Sequence, residues 1–202
     1  MKKAILVCGW QNDFPPLFDG AYIGIDRGAL LCARKGIRME FAIGDFDSID
    51  DVDLAKVRLY ANEIIVLDPI KDVSDAEAAL VETITRGYAE IVLWGALGGR
   101  FDHALVNVKL AQRYACLHLL DTQNEVYALK EGIHLIYPNE KPYISIFALE
   151  ESEISLIGFE YPLMNAFFTV DTTLGLSNRL IAKKAQITVH KGKILVVRSI
   201  DQ

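Results

Sequence analysis

The first 120 residues alternate short apolar runs with amphipathic stretches. Residues 3–9, Tyr22–Asp26, Met39–Ile43, Ile64–Leu67, Ile91–Trp94 and Cys116–Leu120 are compact and apolar, as strands buried on both faces are. The stretches between them read as helices over 27–35, 52–61, 75–86 and 103–115. Gly36 and Gly87 stand where helices stop. Ser74 and Glu77 fit an S-x-x-E capping box. Asn12 to Asp19, with Pro15-Pro16, reads as a loop. This alternation predicts an α/β fold, a mainly parallel sheet with flanking helices.

From Glu125 the pattern changes. Short apolar runs at 126–129, 133–136, 143–147, 154–156, 167–170, 187–189 and 194–197 are separated by Gly, Pro and Asn. They predict a smaller all-β sandwich-like domain. Lys191-Gly192-Lys193 reads as the turn of a hairpin joining the last two runs. The division falls at 1–123 and 124–202.

Composition narrows the reading. The chain has 202 residues, 51% of them apolar, so it can bury a sizeable core. A net charge of −6 argues against a nucleic-acid surface. No apolar run has the length of a membrane span. The opening Met1–Trp10 breaks into polar residues without a cleavage pattern and reads as the first strand. Cys8, Cys32 and Cys116 have no metal-type spacing and predict free thiols in a cytoplasmic protein.

The candidate chemistry sits where strands end. Gly44-Asp45-Phe46-Asp47-Ser48 places two acids at the rim of the sheet, where ligands of open α/β folds bind. In an extended backbone Asp45 and Asp47 point the same way, their Cα atoms roughly 6.5–7 Å apart. Such a pair suits Mg²⁺ shared with a phosphate chain; it equally suits a polar turn. Asp72 and Asp75 open the next helix, Asp75 in a place where its charge suits the helix dipole. A functional reading aims both at the metal. Gly98-Gly99-Arg100-Phe101-Asp102-His103 combines glycines that admit close approach, an arginine suited to phosphate, and a helix start that favours anions. Asp102 also reads as an N-cap, and His103 and Asn107 share a helix face. No G-x-x-x-x-G-K-[ST] or G-x-G-x-x-G occurs. Thr172–Asn178 by itself reads as a turn.

Five blocks in order, Asp26–Ala29, Gly44–Ser48, Lys71–Leu80, Gly98–His103 and Gly175–Asn178, resemble the thiamine pyrophosphokinase (thiamine diphosphokinase) family of the bacterial type. The resemblance implies transfer of pyrophosphate from ATP to thiamine, giving thiamine diphosphate and AMP. It implies a homodimer with active sites between subunits. It further implies Mg²⁺ on Asp45, Asp47 and Asp75, with Asp72 in reserve. Lys71 and Arg100 then steady phosphates, and Asp102 orients the attacking hydroxyl or takes its proton. Gly98, Gly99, His103 and Asn107 line the nucleotide site, and Ser177 and Asn178 hold the aminopyrimidine. Arg179 stands where the family often has Glu, beside the expected acceptor contact. Two rival classes are a non-catalytic nucleotide-binding regulatory module and a Mg-dependent phosphatase.

Overall fold

The structure, a computed structural model, describes residues 1–10 and 19–201; the loop expected around Pro15-Pro16 lies outside the described residues. The chain forms two compact units. One comprises Met1–Leu110 with Leu119–Asp121, the other Ala111–His118 with Thr122–Gln202.

In the first unit β1 (Lys3–Val7), β2 (Ala21–Ile25), β3 (Phe41–Gly44), β4 (Ile64–Val66) and β5 (Glu90–Trp94) pair in the order β5-β1-β2-β3-β4, all parallel. β1 shows why its sequence is continuously apolar. Ile5 and Val7 join one core with Tyr22, Ala42 and Trp94, while Ala4 and Leu6 are as deeply buried on the other face. Helices α1 (Arg27–Arg34) and α2 (Asp51–Tyr60) close the first core through Leu30, Cys32, Ala33 and Val57. α3 (Asp75–Thr85) packs across β1, β2 and β3.

Helix ends follow local chemistry. The Gly36 N–H donates to Ala33 O and that of Ile37 to Cys32 O, a Schellman stop with Gly36 at φ +73°. Ser74 Oγ accepts from the Glu77 N–H at 3.2 Å, the Ser74 half of the expected box. α4 (Phe101–Arg113) starts two residues before the expected His103. Asp102 therefore lies inside the first turn and is not its N-cap. Beyond α4 comes β6 (Leu117–Leu120), whose Leu120 O accepts from the Gly95 N–H.

The second unit is antiparallel: β7 (Asn124–Ile136), β8 (Tyr143–Ala148), β9 (Ser152–Ile157), β10 (Leu163–Phe168) and β11 (Ala185–Ser199). β11 pairs with β7 along nearly its whole length. Its first half also pairs with β9, which carries β10, and its second half with β8. The two halves enclose a core built on Ile144, Ile146, Phe159, Phe168 and Val196. This corrects the sequence at two places. The runs at 126–129 and 133–136 are one strand, and so are those at 187–189 and 194–197. Lys191-Gly192-Lys193 is no hairpin turn but an irregularity in the ladder, with Gly192 at φ +86° and its N–H donating to Glu131 Oε1.

Candidate active site

Parallel strands deliver all their carboxyl ends to one edge. The chain leaves β1 toward β2 and reaches β5 on the other side, so the crevice for a ligand opens beyond β1 and β5. A cavity of about 700 Å³ lies there, ample for a nucleotide-sized ligand. Cys8, Gly9 and Trp10 follow β1 into it, and Gly95, Ala96 and Gly98 follow β5. Asp26, Ser48 and Asp75 line an acidic side; Arg100, Asp102, His103 and Asn107 come from the start of α4.

Asp26 is the residue that sequence reasoning left out of the site. It ends β2 at φ +47°, caps α1 without a side-chain bond to it, and keeps a buried Oδ1 with no hydrogen-bond partner. Gly44 is glycine for its sake: a Cβ there would overlap Asp26 Oδ1 and stand 2.6 Å from its Cγ. Burial pushes the Asp26 carboxyl up to about 6, and the charges of Asp75 and Asp45 add to the rise. A backbone hydrogen bond from Phe46 and the charge of Lys71 oppose it. Its position after a strand was the signal, the same one that singled out Asp45.

The Asp-x-Asp turn is not extended. Phe46 sits at φ +56° with its ring in the core, and the Asp47 N–H turns back to Asp45 Oδ1 at 3.2 Å. The expectation that both acids point the same way in an extended strand is thereby corrected; a buried aromatic between them takes the bend. Asp47 is exposed and Asp45 partly buried. Across from them, Lys71 Nζ lies 2.9 Å from Asp75 Oδ1. The contact with Asp75 holds the Lys71 ammonium above its usual range. Asp72 is exposed and does not line the cavity.

Among the described residues no three His, Cys, Asp or Glu side chains are gathered at metal-ligand spacing. The carboxylates of Asp45 and Asp75 lie close enough to act on Asp26. Neighbouring carboxylates repel, and the ammonium of Lys71 stands among them. The donor chemistry fits a hard cation: the groups acting on one another here are carboxylates, and Asp26 keeps a buried Oδ1 without a hydrogen-bond donor.

At the other wall Arg100 grips Asp102 with a fork, Nη2 to Oδ2 at 2.5 Å and Nε to Oδ1 at 3.1 Å. Both side chains are largely exposed. The hydrogen bond from Arg100 holds the Asp102 carboxyl below its usual range, which makes it a poor proton acceptor at neutral pH. Asn107 is buried and donates to Ala96 O at 2.8 Å, fixing the turn after β5. His103 is exposed at the cavity.

Ser177 and Asn178 lie in the second unit. Asn178 is buried, and its amide is committed: Nδ2 donates to Tyr161 O, and Oδ1 accepts from the N–H groups of Tyr161 and Arg179. Its visible work is structural. Ser177 is exposed at φ +55°, its N–H donating to Ser145 Oγ. Arg179 lies over the Tyr143 ring and donates to its hydroxyl.

An open parallel sheet with acids at its carboxyl edge and a glycine-rich helix start defines an α/β fold with its ligand crevice at that edge. The comparisons specify it. Residues 19–126 match the family model "Thiamin pyrophosphokinase, catalytic domain", and residues 133–194 match "Thiamin pyrophosphokinase, vitamin B1 binding domain". The thiamine pyrophosphokinase of Bacillus subtilis (strain 168) is 32% identical, with the whole of both chains covered. The crystal structure of thiamine pyrophosphokinase from Bacillus subtilis superposes with a TM-score of 0.89 at 30% identity, all of each chain covered. That of a thiamin pyrophosphokinase family protein from Enterococcus faecalis gives 0.90 at 28% identity, again over both chains entirely. The chain belongs to the thiamine pyrophosphokinase family.

Proposed function

We propose that this protein is a thiamine diphosphokinase, moving a pyrophosphoryl group from ATP to thiamine. The observation that carries the reading is family membership along the whole chain, joined to a cavity where acids face a glycine-rich helix start. The primary alcohol oxygen of thiamine attacks the β-phosphorus. The bond from that phosphorus to the oxygen bridging to the α-phosphorus breaks, and AMP leaves with the bridging oxygen.

The residues divide the work as follows. Arg100 exchanges its Asp102 partner for phosphate oxygens, and the start of α4 adds N–H groups and a favourable dipole. Lys71 contributes positive charge beside the acids. Asp45, Asp47 and Asp75, with Asp26 added, hold Mg²⁺, which when bound neutralises phosphate charge. Asp102, released from Arg100, orients the alcohol and takes its proton. Gly98, Gly99, His103 and Asn107 surround the nucleotide. Ser177 supplies the acceptor contact, completed between two copies of the chain. Exposed apolar side chains on the second unit, among them Met164, Phe167, Leu174 and Ile181, are consistent with a dimer. The free thiols of Cys8, Cys32 and Cys116 suit the cytoplasm.

Phosphorus NMR of protein, ATP, Mg²⁺ and thiamine tests the reading. AMP and thiamine diphosphate should appear in equal amounts and only with thiamine present. Inorganic phosphate released without thiamine would make the protein a phosphatase. Tight ATP binding with no AMP would make it a regulatory module.

A further inference from the structure

Trp10 stands at the cavity. It follows β1 and Gly9, and it is 61% exposed although it is one of the two largest apolar side chains in the chain. What holds it is the turn after β5. A Cβ on Gly98 would stand 2.6 Å from Trp10 Cδ1 and 2.9 Å from Nε1. One on Gly99 would meet the other end of the ring system, overlapping Cδ2 and standing 2.6 Å from Cε2 and 2.8 Å from Cε3. The indole thus lies face-on across both glycines, and their missing side chains make the room. Cys8, Ala96 and Val106 add apolar surface to the lining of the same cavity, which Asp26 and Asp75 also line.

We infer that Trp10 is the platform on which the nucleoside base of the donor stacks, a positioning residue for the nucleotide. The inference rests on the nucleotide-dependent reading above. The same Gly98–Gly99 turn that carries the indole leads into α4, whose start suits phosphate. A nucleotide with its phosphates at the start of α4 has its base in the same cavity that Trp10 lines. Aromatic stacking on a base is tolerant of which base it meets, so Trp10 favours a nucleotide over a bare polyphosphate without choosing among nucleobases. Gly98 and Gly99 are glycines where the ring needs the room.

Calorimetric binding to the full-length protein separates the possibilities, with ADP and inorganic tripolyphosphate as probes and Trp10→Ala and Trp10→Phe as variants. Circular dichroism checks that each variant is folded. Trp10→Ala should weaken ADP about 5- to 150-fold and leave tripolyphosphate unchanged. Trp10→Phe, which retains a ring, should recover most of the loss. In turnover, Trp10→Ala should raise KM for ATP and leave KM for the acceptor alone. Equal weakening of both probes, no weakening of ADP, or a rise confined to the acceptor KM overturns the inference, as does a wild-type protein that binds no ADP. Trp10-dependent ADP binding without AMP formation would leave the inference standing and remove the transfer reading instead.

Discussion

Replacing Asp26 by asparagine should strengthen the fold while stopping the reaction. The Asp26 carboxyl titrates near 6 where the ordinary value is 3.8, burial being the larger cause and the charges of Asp75 and Asp45 the next. That displacement of about two pH units corresponds to roughly 3 kcal/mol held against the ionised native state. Water still reaches part of the group, and screening reduces the figure to about 1–2 kcal/mol. Between 3.8 and about 6 the native chain keeps a proton that the unfolded chain has lost. Stability therefore falls as pH rises through that window and stays reduced above it. Asparagine preserves the shape, accepts the Phe46 N–H and tolerates a positive φ, but carries no charge. Urea unfolding in a chelating buffer should show Asp26→Asn more stable than wild type by about 1–2 kcal/mol at pH 7.5, with the gap shrinking as pH is lowered toward 4. The same variant should lose at least about a hundredfold in AMP formation. A variant no more stable than wild type at pH 7.5 would mean that the carboxylate is well accommodated, and the crowding argument would fail.

Two further outcomes follow from the packing. Gly28→Ala should cost roughly 3 kcal/mol, because its Cβ would run into the Val7 carbonyl, ending 2.6 Å from the carbonyl carbon. Gly36→Ala, with nothing within 4 Å and only φ +73° against it, should cost about 1–2 kcal/mol; equal losses in denaturant titrations would contradict the close helix–strand approach. In the second unit, burial raises the Glu125 carboxyl, but the His118 hydrogen bond and the charges of His118 and Arg198 outweigh it and leave the pKa lowered. The stability this supplies is present above the ordinary value of 4.5 and is lost as pH falls through the lowered native one. Glu125→Gln should lower the melting temperature at pH 7 and flatten its fall in acid, and an unchanged acid profile would remove Glu125 from that role.

The residues that gave themselves away did so through local chemistry. Gly36, Ser74 and the continuously apolar β1 each announce a cap or a doubly covered strand without knowledge of the rest. Lys191-Gly192-Lys193 misleads for an equally local reason: a glycine at positive φ serves a bulge and a turn alike, and only the long partner β7 tells them apart. In the site, Gly44 and Asp45 were legible as a strand end, but the bend at Phe46 depends on a ring finding the core. The importance of Asp26 depends on Asp75, some fifty positions away in sequence, which no spacing reveals. Asn178 by itself reads as part of a turn and the resemblance makes it a ligand contact; its bonds to Tyr161 depend on a residue 17 positions away. Trp10 needs Gly98 and Gly99 beside it before it means anything.

The most direct test of the account follows a label. ATP carrying a labelled γ-phosphorus, incubated with wild-type protein, Mg²⁺ and thiamine, should place all transferred label in the terminal phosphate of thiamine diphosphate. Unlabelled AMP should form in equal amount, and Asp75→Asn should suppress both. Label in thiamine monophosphate with ADP as co-product, or in free phosphate, would contradict attack at the β-phosphorus and the reading built on it.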